Sequence, residues 1–183
     1  MNPSPNLFLI GPMGAGKSSI GRRLAQRFGL PCIDLDAEIE QRTGASVSTI
    51  FEIEGEAGFR RRESDLLAEF TTRVGIVLAT GGGAVLVPAN RALLCERGFV
   101  VWLQASVEQQ LRRLVRDRKR PLLDAPDRRQ RLEQLALERD PIYGELADCS
   151  AGSADESCEH AAARIAALLE QQWQRASTVK EGA

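Results

Sequence analysis

The segment Gly11-Pro12-Met13-Gly14-Ala15-Gly16-Lys17-Ser18 constrains this chain more than any other. It fits the pattern G-x-x-x-x-G-K-[ST]. It follows a short apolar run, Leu7-Phe8-Leu9-Ile10, and precedes Ile20, Leu24 and Phe28 at i, i+4, i+8. Strand, glycine loop and helix therefore stand in the order such a loop requires. Glycines let the backbone curl until successive N–H groups converge on phosphate oxygens, assisted by the positive end of the next helix. Lys17 would set a point charge on the β- and γ-phosphates, and the Ser18 hydroxyl would meet Mg²⁺. The expectation is a nucleoside triphosphate, ATP, bound with Mg²⁺.

The rest of the chain fits that loop into one architecture. Leu7 to Ile10 is unbroken and apolar, as a strand covered on both faces must be. Gly29 can cap the first helix. Cys32-Ile33-Asp34-Leu35-Asp36 reads as a second strand ending in carboxylates. Residues 37–42, 46–52 and 59–73 read as helices with glycines between them. Residues 75–79 and 100–103 form a third and a fourth strand, and Ser106 is placed to cap the helix after them. A further helix is expected over 128–139, ended by Pro141. A last one carries Ala161, Ile165, Leu168, Leu169 and Trp173. Alternating short strands and helices predict an α/β chain: three layers, α/β/α, around a parallel sheet of about five strands. At 183 residues, 43% of them apolar, a single domain over 1–183 is expected. A frayed tail is expected over about 176–183.

Composition excludes other classes. A net charge of -1 and a pI near 6.0 give no general attraction to nucleic acid or anionic membranes. No apolar run approaches the roughly 20 residues of a membrane-spanning helix. The N-terminus lacks the charge of a secretory signal. The cysteines, Cys32, Cys95, Cys149 and Cys158, show no paired spacing for zinc or redox chemistry. Reduced thiols in a cytoplasmic protein are expected. His160, the one histidine, reads as a surface residue, and both tryptophans read as core.

Three further features bear on an acceptor. Asp34 and Asp36 stand where the carboxyl end of a strand meets the phosphate loop, the place where ligands bind in open parallel sheets. One could hold Mg²⁺ through water and the other a substrate hydroxyl; helix capping by Asp36 is the alternative. Thr80-Gly81-Gly82-Gly83 ends the third strand, and three glycines are costly in chain entropy. Close approach of a ligand would explain them, as would a plain tight turn. Arg60 and Glu63 lie at i, i+3 on one helix face, and a paired arginine is a rigid fork for a carboxylate. A basic stretch, Arg112-Arg113, Arg116 and Arg118-Lys119-Arg120, has no interleaved aromatics for base stacking. A mobile lid over about 112–127 suits it better than a nucleic-acid patch.

Together these motifs, with Arg120-Pro121-Leu122-Leu123 and with Arg139 ahead of Pro141-Ile142-Tyr143, resemble the shikimate kinase family over nearly the whole chain. The resemblance implies a P-loop kinase fold with a mobile lid and a substrate-binding helical region over about 36–63. It implies transfer of the ATP γ-phosphoryl group to the 3-hydroxyl of shikimate, in aromatic amino-acid biosynthesis. It assigns ATP to Gly14, Ala15, Gly16, Lys17, Ser18 and Ser19, with Arg113 flanking adenine and Arg120 reaching the transferring phosphate. It assigns Mg²⁺ to Ser18 and, through water, Asp34, because Thr80-Gly81 replaces the usual strand aspartate. It assigns shikimate to Asp36, Arg60, Gly82 and Arg139, and catalysis to Lys17, Asp36 and Arg120. Adenine would lie against residues 152–155. Shikimate is the implied partner, with a monomeric protein and no nucleic acid or membrane. A gluconate or nucleotide kinase is the first rival, and a non-enzymatic P-loop regulator the second.

Overall fold

The run Leu7–Ile10 is strand β1, fully buried along its length. It lies at the centre of a five-stranded, all-parallel sheet of order β2-β3-β1-β4-β5. The structure is a computed structural model that describes residues 4–115, 127–152 and 156–174. The other strands are β2 (Cys32–Asp34), β3 (Val77–Ala79), β4 (Phe99–Leu103) and β5 (Cys149–Ala151). Both sheet faces are covered, so the alternating side chains of β1 enter two cores. Leu7 and Leu9 pack with α1 (Lys17–Phe28) and α7 (Cys158–Gln172) through Leu24, Ile165 and Leu169. Phe8 and Ile10 face α2 (Leu35–Thr43), α3 (Val47–Phe70), α4 (Pro88–Arg97) and α6 (Arg128–Leu146) through Leu35, Leu67, Leu94 and Tyr143. Each such apolar side chain contributes roughly 1.5–3 kcal/mol by leaving water. The three-layer α/β/α architecture expected from the sequence is therefore present.

A third, smaller cluster positions the site. Met13 of the phosphate loop packs on Leu114 of α5 (Val107–Leu114) and on Leu132 and Leu135 of α6. The helices after β1 and β3 lie on opposite sheet faces, which opens a crevice at the strands' carboxyl ends.

Several boundaries differ from expectation. The second strand stops at Asp34, whose carboxylate accepts the Ala37 N–H at 3.2 Å and caps α2. The cap is therefore Asp34 rather than Asp36, which lies in the first helical turn. The helices expected at 46–52 and 59–73 join into α3 around a kink at Gly55, where φ is 68°. Gly75 and Ile76 precede β3, their amides donating to the Asn6 side chain at 2.8 and 3.2 Å. Pro141 does not end α6. The carbonyl its missing N–H would meet belongs to Leu137, itself 81% exposed, so water can satisfy the lost bond. Two elements escaped the sequence reading. Helix α4 opens with Pro at its first position and has little apolar periodicity, and β5 is the three-residue edge Cys-Ser-Ala.

Trp173 closes the first core as expected, its indole N–H donating to the Ser4 carbonyl at 2.7 Å. Trp102 is only partly buried. His160 is exposed, and all four cysteines are free. Among the described residues no helix is long and apolar enough to cross a membrane. The expected tail over 176–183 lies outside the described residues.

Candidate active site

At the carboxyl ends of β1, β2 and β3 lies a cavity of about 180 Å³. Its lining includes Gly14, Gly16, Lys17, Ser18 and Ser19 on one wall, and Asp34, Asp36, Thr80 and Gly82 on the other. The loop owes its shape to backbone angles that only glycine adopts readily: φ is 136° at Gly11, 76° at Gly14 and 92° at Gly16. At Gly11 a Cβ would also fall 2.3 Å from the Leu103 carbonyl of β4.

Gly16 stands at the N-cap of α1 without a side-chain cap, and no acidic residue occupies the first turn. The opening amides of this helix therefore form an anion site. The Lys17 ammonium donates to the Gly11 carbonyl at 2.7 Å and the Pro12 carbonyl at 2.9 Å, which keeps it over the loop. Arg113 of α5 donates to the Gly14 carbonyl at 2.9 Å, tying that helix to the loop.

Oxygen ligands suit Mg²⁺, which keeps several waters and takes only one or two protein groups beside phosphates. The Ser18 hydroxyl and the Asp34 carboxylate line the same cavity and fit that requirement. Among the described residues no cluster of three His, Cys, Asp or Glu side chains offers a full protein cage.

Beyond the Asp36 wall lies buried charge drawn from distant parts of the chain. Arg60 bonds Glu63 at 2.6 Å and Glu56 at 3.1 Å, with its guanidinium against the Phe59 ring. Its side chain is 12% exposed and that of Glu63 0%. Arg139, 5% exposed, enters from α6. Burial raises the Glu63 carboxyl above its ordinary range; Arg60 and Arg139 oppose this, and Asp36 adds to it. Asp36, Arg60, Glu63 and Arg139 therefore share one electrostatic environment. Glu63 Oε1 and Arg139 Nε are buried with no hydrogen-bond partner among the described residues. A polar ligand would supply such partners.

The three glycines have a reason the sequence did not reveal. A Cβ on Gly81 would lie 2.1 Å from Glu63 Oε1, and one on Gly83 would lie 2.1 Å from Arg60 Nη2. Gly82 lies against the phosphate loop, its Cβ position 3.4 Å from the Gly11 carbonyl oxygen. None of the three has a positive φ. Gly81 and Gly83 make room for the buried ion pair, a reason beyond the ligand approach or tight turn that the sequence suggested.

The cavity therefore unites the candidates Gly14, Gly16, Lys17, Ser18, Ser19, Asp34, Asp36 and Gly82. Ala15 is buried within the loop. Arg60 and Arg139 join through the charge cluster beyond it. Arg120 and most of the expected lid lie outside the described residues, as do residues 153–155 of the expected adenine loop. Gly152 accepts from Arg164 at 2.7 Å. The sequence reading gave no role to Tyr143, whose hydroxyl donates to the Gly82 carbonyl at 2.5 Å. Its spacing of four residues from Arg139 on one helix was the available signal.

A phosphate loop facing carboxylates and buried guanidinium groups can hand a phosphoryl group to a small hydroxylated anion. Fold and site together define a P-loop small-molecule kinase. A profile of the shikimate kinase family matches residues 13–170. A shikimate kinase of Stenotrophomonas maltophilia (strain K279a) is 55% identical over 175 residues, covering 96% of this chain and 97% of the relative. The structure of a shikimate kinase from Acinetobacter baumannii in complex with shikimate superposes with a TM-score of 0.89 at 45% identity. That match covers 93% of this chain and 95% of the other. A gluconokinase from Sinorhizobium meliloti, at 19% identity and a TM-score of 0.51 over 93% and 97% of the two chains, shares the fold alone. The chain belongs to the shikimate kinase family, and is an ATP-dependent kinase that works with Mg²⁺.

Proposed function

We propose that the cavity transfers the ATP γ-phosphoryl group to the 3-hydroxyl of shikimate, with the two walls dividing the work. The loop amides of residues 14–19 and Lys17 hold the triphosphate, and Arg113 flanks the base. Ser18, and Asp34 through water, would hold Mg²⁺, which when bound would neutralise phosphate charge. Arg60 and Arg139 clamp the carboxylate of the acceptor, for which planar bidentate guanidinium groups are suited. The Gly82 backbone contacts the acceptor. Asp36 accepts the hydrogen bond of the attacking hydroxyl and stands ready for its proton. The new bond joins that oxygen to the γ-phosphorus while the bond to the ADP oxygen breaks. Arg120, from the lid over 112–127, neutralises charge on the group in transit. Most of the rate gain then comes from positioning and fixed charge.

The observation that carries this reading is the buried pair of arginines beside Asp36. Phosphate binding alone needs neither of them. The reading includes a monomer in the cytoplasm, where ATP and Mg²⁺ are supplied, and a single domain over 1–183. Coupled ADP release with shikimate, gluconate and AMP as alternative acceptors tests the substrate: only shikimate should support turnover, and indifference to it would reject the assignment. Light scattering tests the monomer.

A further inference from the structure

Tyr143 is fully buried on α6, one turn beyond Arg139. Its ring lies 5.8 Å from that of Trp102, with 34° between the planes. Its hydroxyl crosses to the glycine turn and donates to the Gly82 carbonyl. Burial pushes the phenol far above its ordinary value, and the nearby Arg139 guanidinium offsets only part of this. The hydroxyl is therefore a neutral, permanent donor.

The peptides of the turn are not equally fixed. The Gly81 carbonyl accepts from the Ala84 amide at 3.2 Å, and the Gly83 carbonyl accepts from the Leu86 amide at 3.0 Å. Those bonds hold the peptides on either side of the one joining Gly82 to Gly83. Among the described residues that middle peptide is anchored by Tyr143 alone. Glycine on both ends leaves it free to rotate at little steric cost. In a trans peptide the carbonyl and the N–H point in opposite directions. Drawing the Gly82 carbonyl toward α6 therefore turns the Gly83 amide away from that helix.

We infer that Tyr143 is a positioning residue for the acceptor: it sets the Gly82–Gly83 peptide and couples this turn to the helix that carries Arg139. The inference rests on the reading that Gly82 and Arg139 receive the acceptor. Two contacts separated by more than fifty residues are then linked through one hydroxyl, beside the core packing of Ala84 and Val85 with Tyr143. ATP is bound by the opposite wall and does not depend on it.

The test compares the full chain with Tyr143→Phe, which keeps the ring and removes the donor. Trp173→Phe serves as a control, because it also removes one buried donor, from the Ser4 carbonyl. Tyr143→Phe should raise the KM for shikimate about tenfold, the factor one buried hydrogen bond commands. The KM for ATP should stay within about twofold, and Trp173→Phe should leave both unchanged. Amide hydrogen exchange at residues 82–84 should quicken in Tyr143→Phe and not in Trp173→Phe, whatever the acceptor. Unchanged exchange at 82–84, or equal rises in both KM values, would overturn the inference. Faster exchange in a chain whose wild type ignores shikimate would uphold the anchoring and reject the acceptor reading instead.

Discussion

Arg60 occupies the space that a side chain on Gly83 would fill: a Cβ there would lie 2.1 Å from Nη2 and 2.4 Å from Cζ. Gly83→Ala should therefore displace the guanidinium rather than the backbone, since the arginine end can swing. The fold should survive with a small change in Tm, while the KM for shikimate rises about tenfold or more, as for loss of a charge-assisted contact. Steady-state kinetics beside a melting curve separate the two effects. A large fall in Tm with an unchanged KM would contradict this account.

Glu63 links the same cluster to pH. Its carboxyl is raised above the ordinary 4.5, chiefly by burial. In the window above 4.5 the folded chain holds this proton more tightly than the unfolded chain. The native state thus binds more protons, and the Glu63 contribution to stability falls as pH rises through the raised value. Glu63→Gln should flatten that part of the stability curve. Chemical denaturation of both proteins between about pH 4 and 8 measures it. A wild-type minus variant difference independent of pH would refute the assignment.

Asp36→Asn should lower turnover by about a hundredfold or more while leaving ATP affinity within about twofold, because the carboxylate serves the acceptor wall. Nucleotide titration and ADP release on the same preparation check both halves. Loss of nucleotide binding would place Asp36 on the other wall.

Lys17→Ala removes the donor that bridges the Gly11 and Pro12 carbonyls. Phosphoryl transfer should fall by about 10²-fold or more with any acceptor, as when a fixed charge is lost from a transition state. Rates with saturating ATP and acceptor test this. A change confined to the KM for the acceptor would be unexpected.

Local chemistry made much of this readable in one dimension. The phosphate loop is continuous in sequence, so its glycines, Lys17 and Ser18 declare themselves together. The i, i+3 spacing of Arg60 and Glu63 foretold their ion pair because a helix imposes that contact. Elements with weak periodicity did not declare themselves. Strand β5 is three residues long at the sheet edge, and α4 opens on a proline that reads equally as a turn. Pro141 looked like a helix end because sequence does not say which carbonyl faces water.

By itself the sequence determined the α/β layering, the phosphate loop and the helical ion pair, since each arises from residues a few positions apart. Only the tertiary structure decided what Gly81 and Gly83 are for and what Tyr143 holds. It also placed Arg139 and Asp36 in the same electrostatic environment. Those relationships join segments far apart in the chain, and they exist only once parallel strands bring their carboxyl ends side by side. Local propensity carries no record of such distances, and packing supplies them.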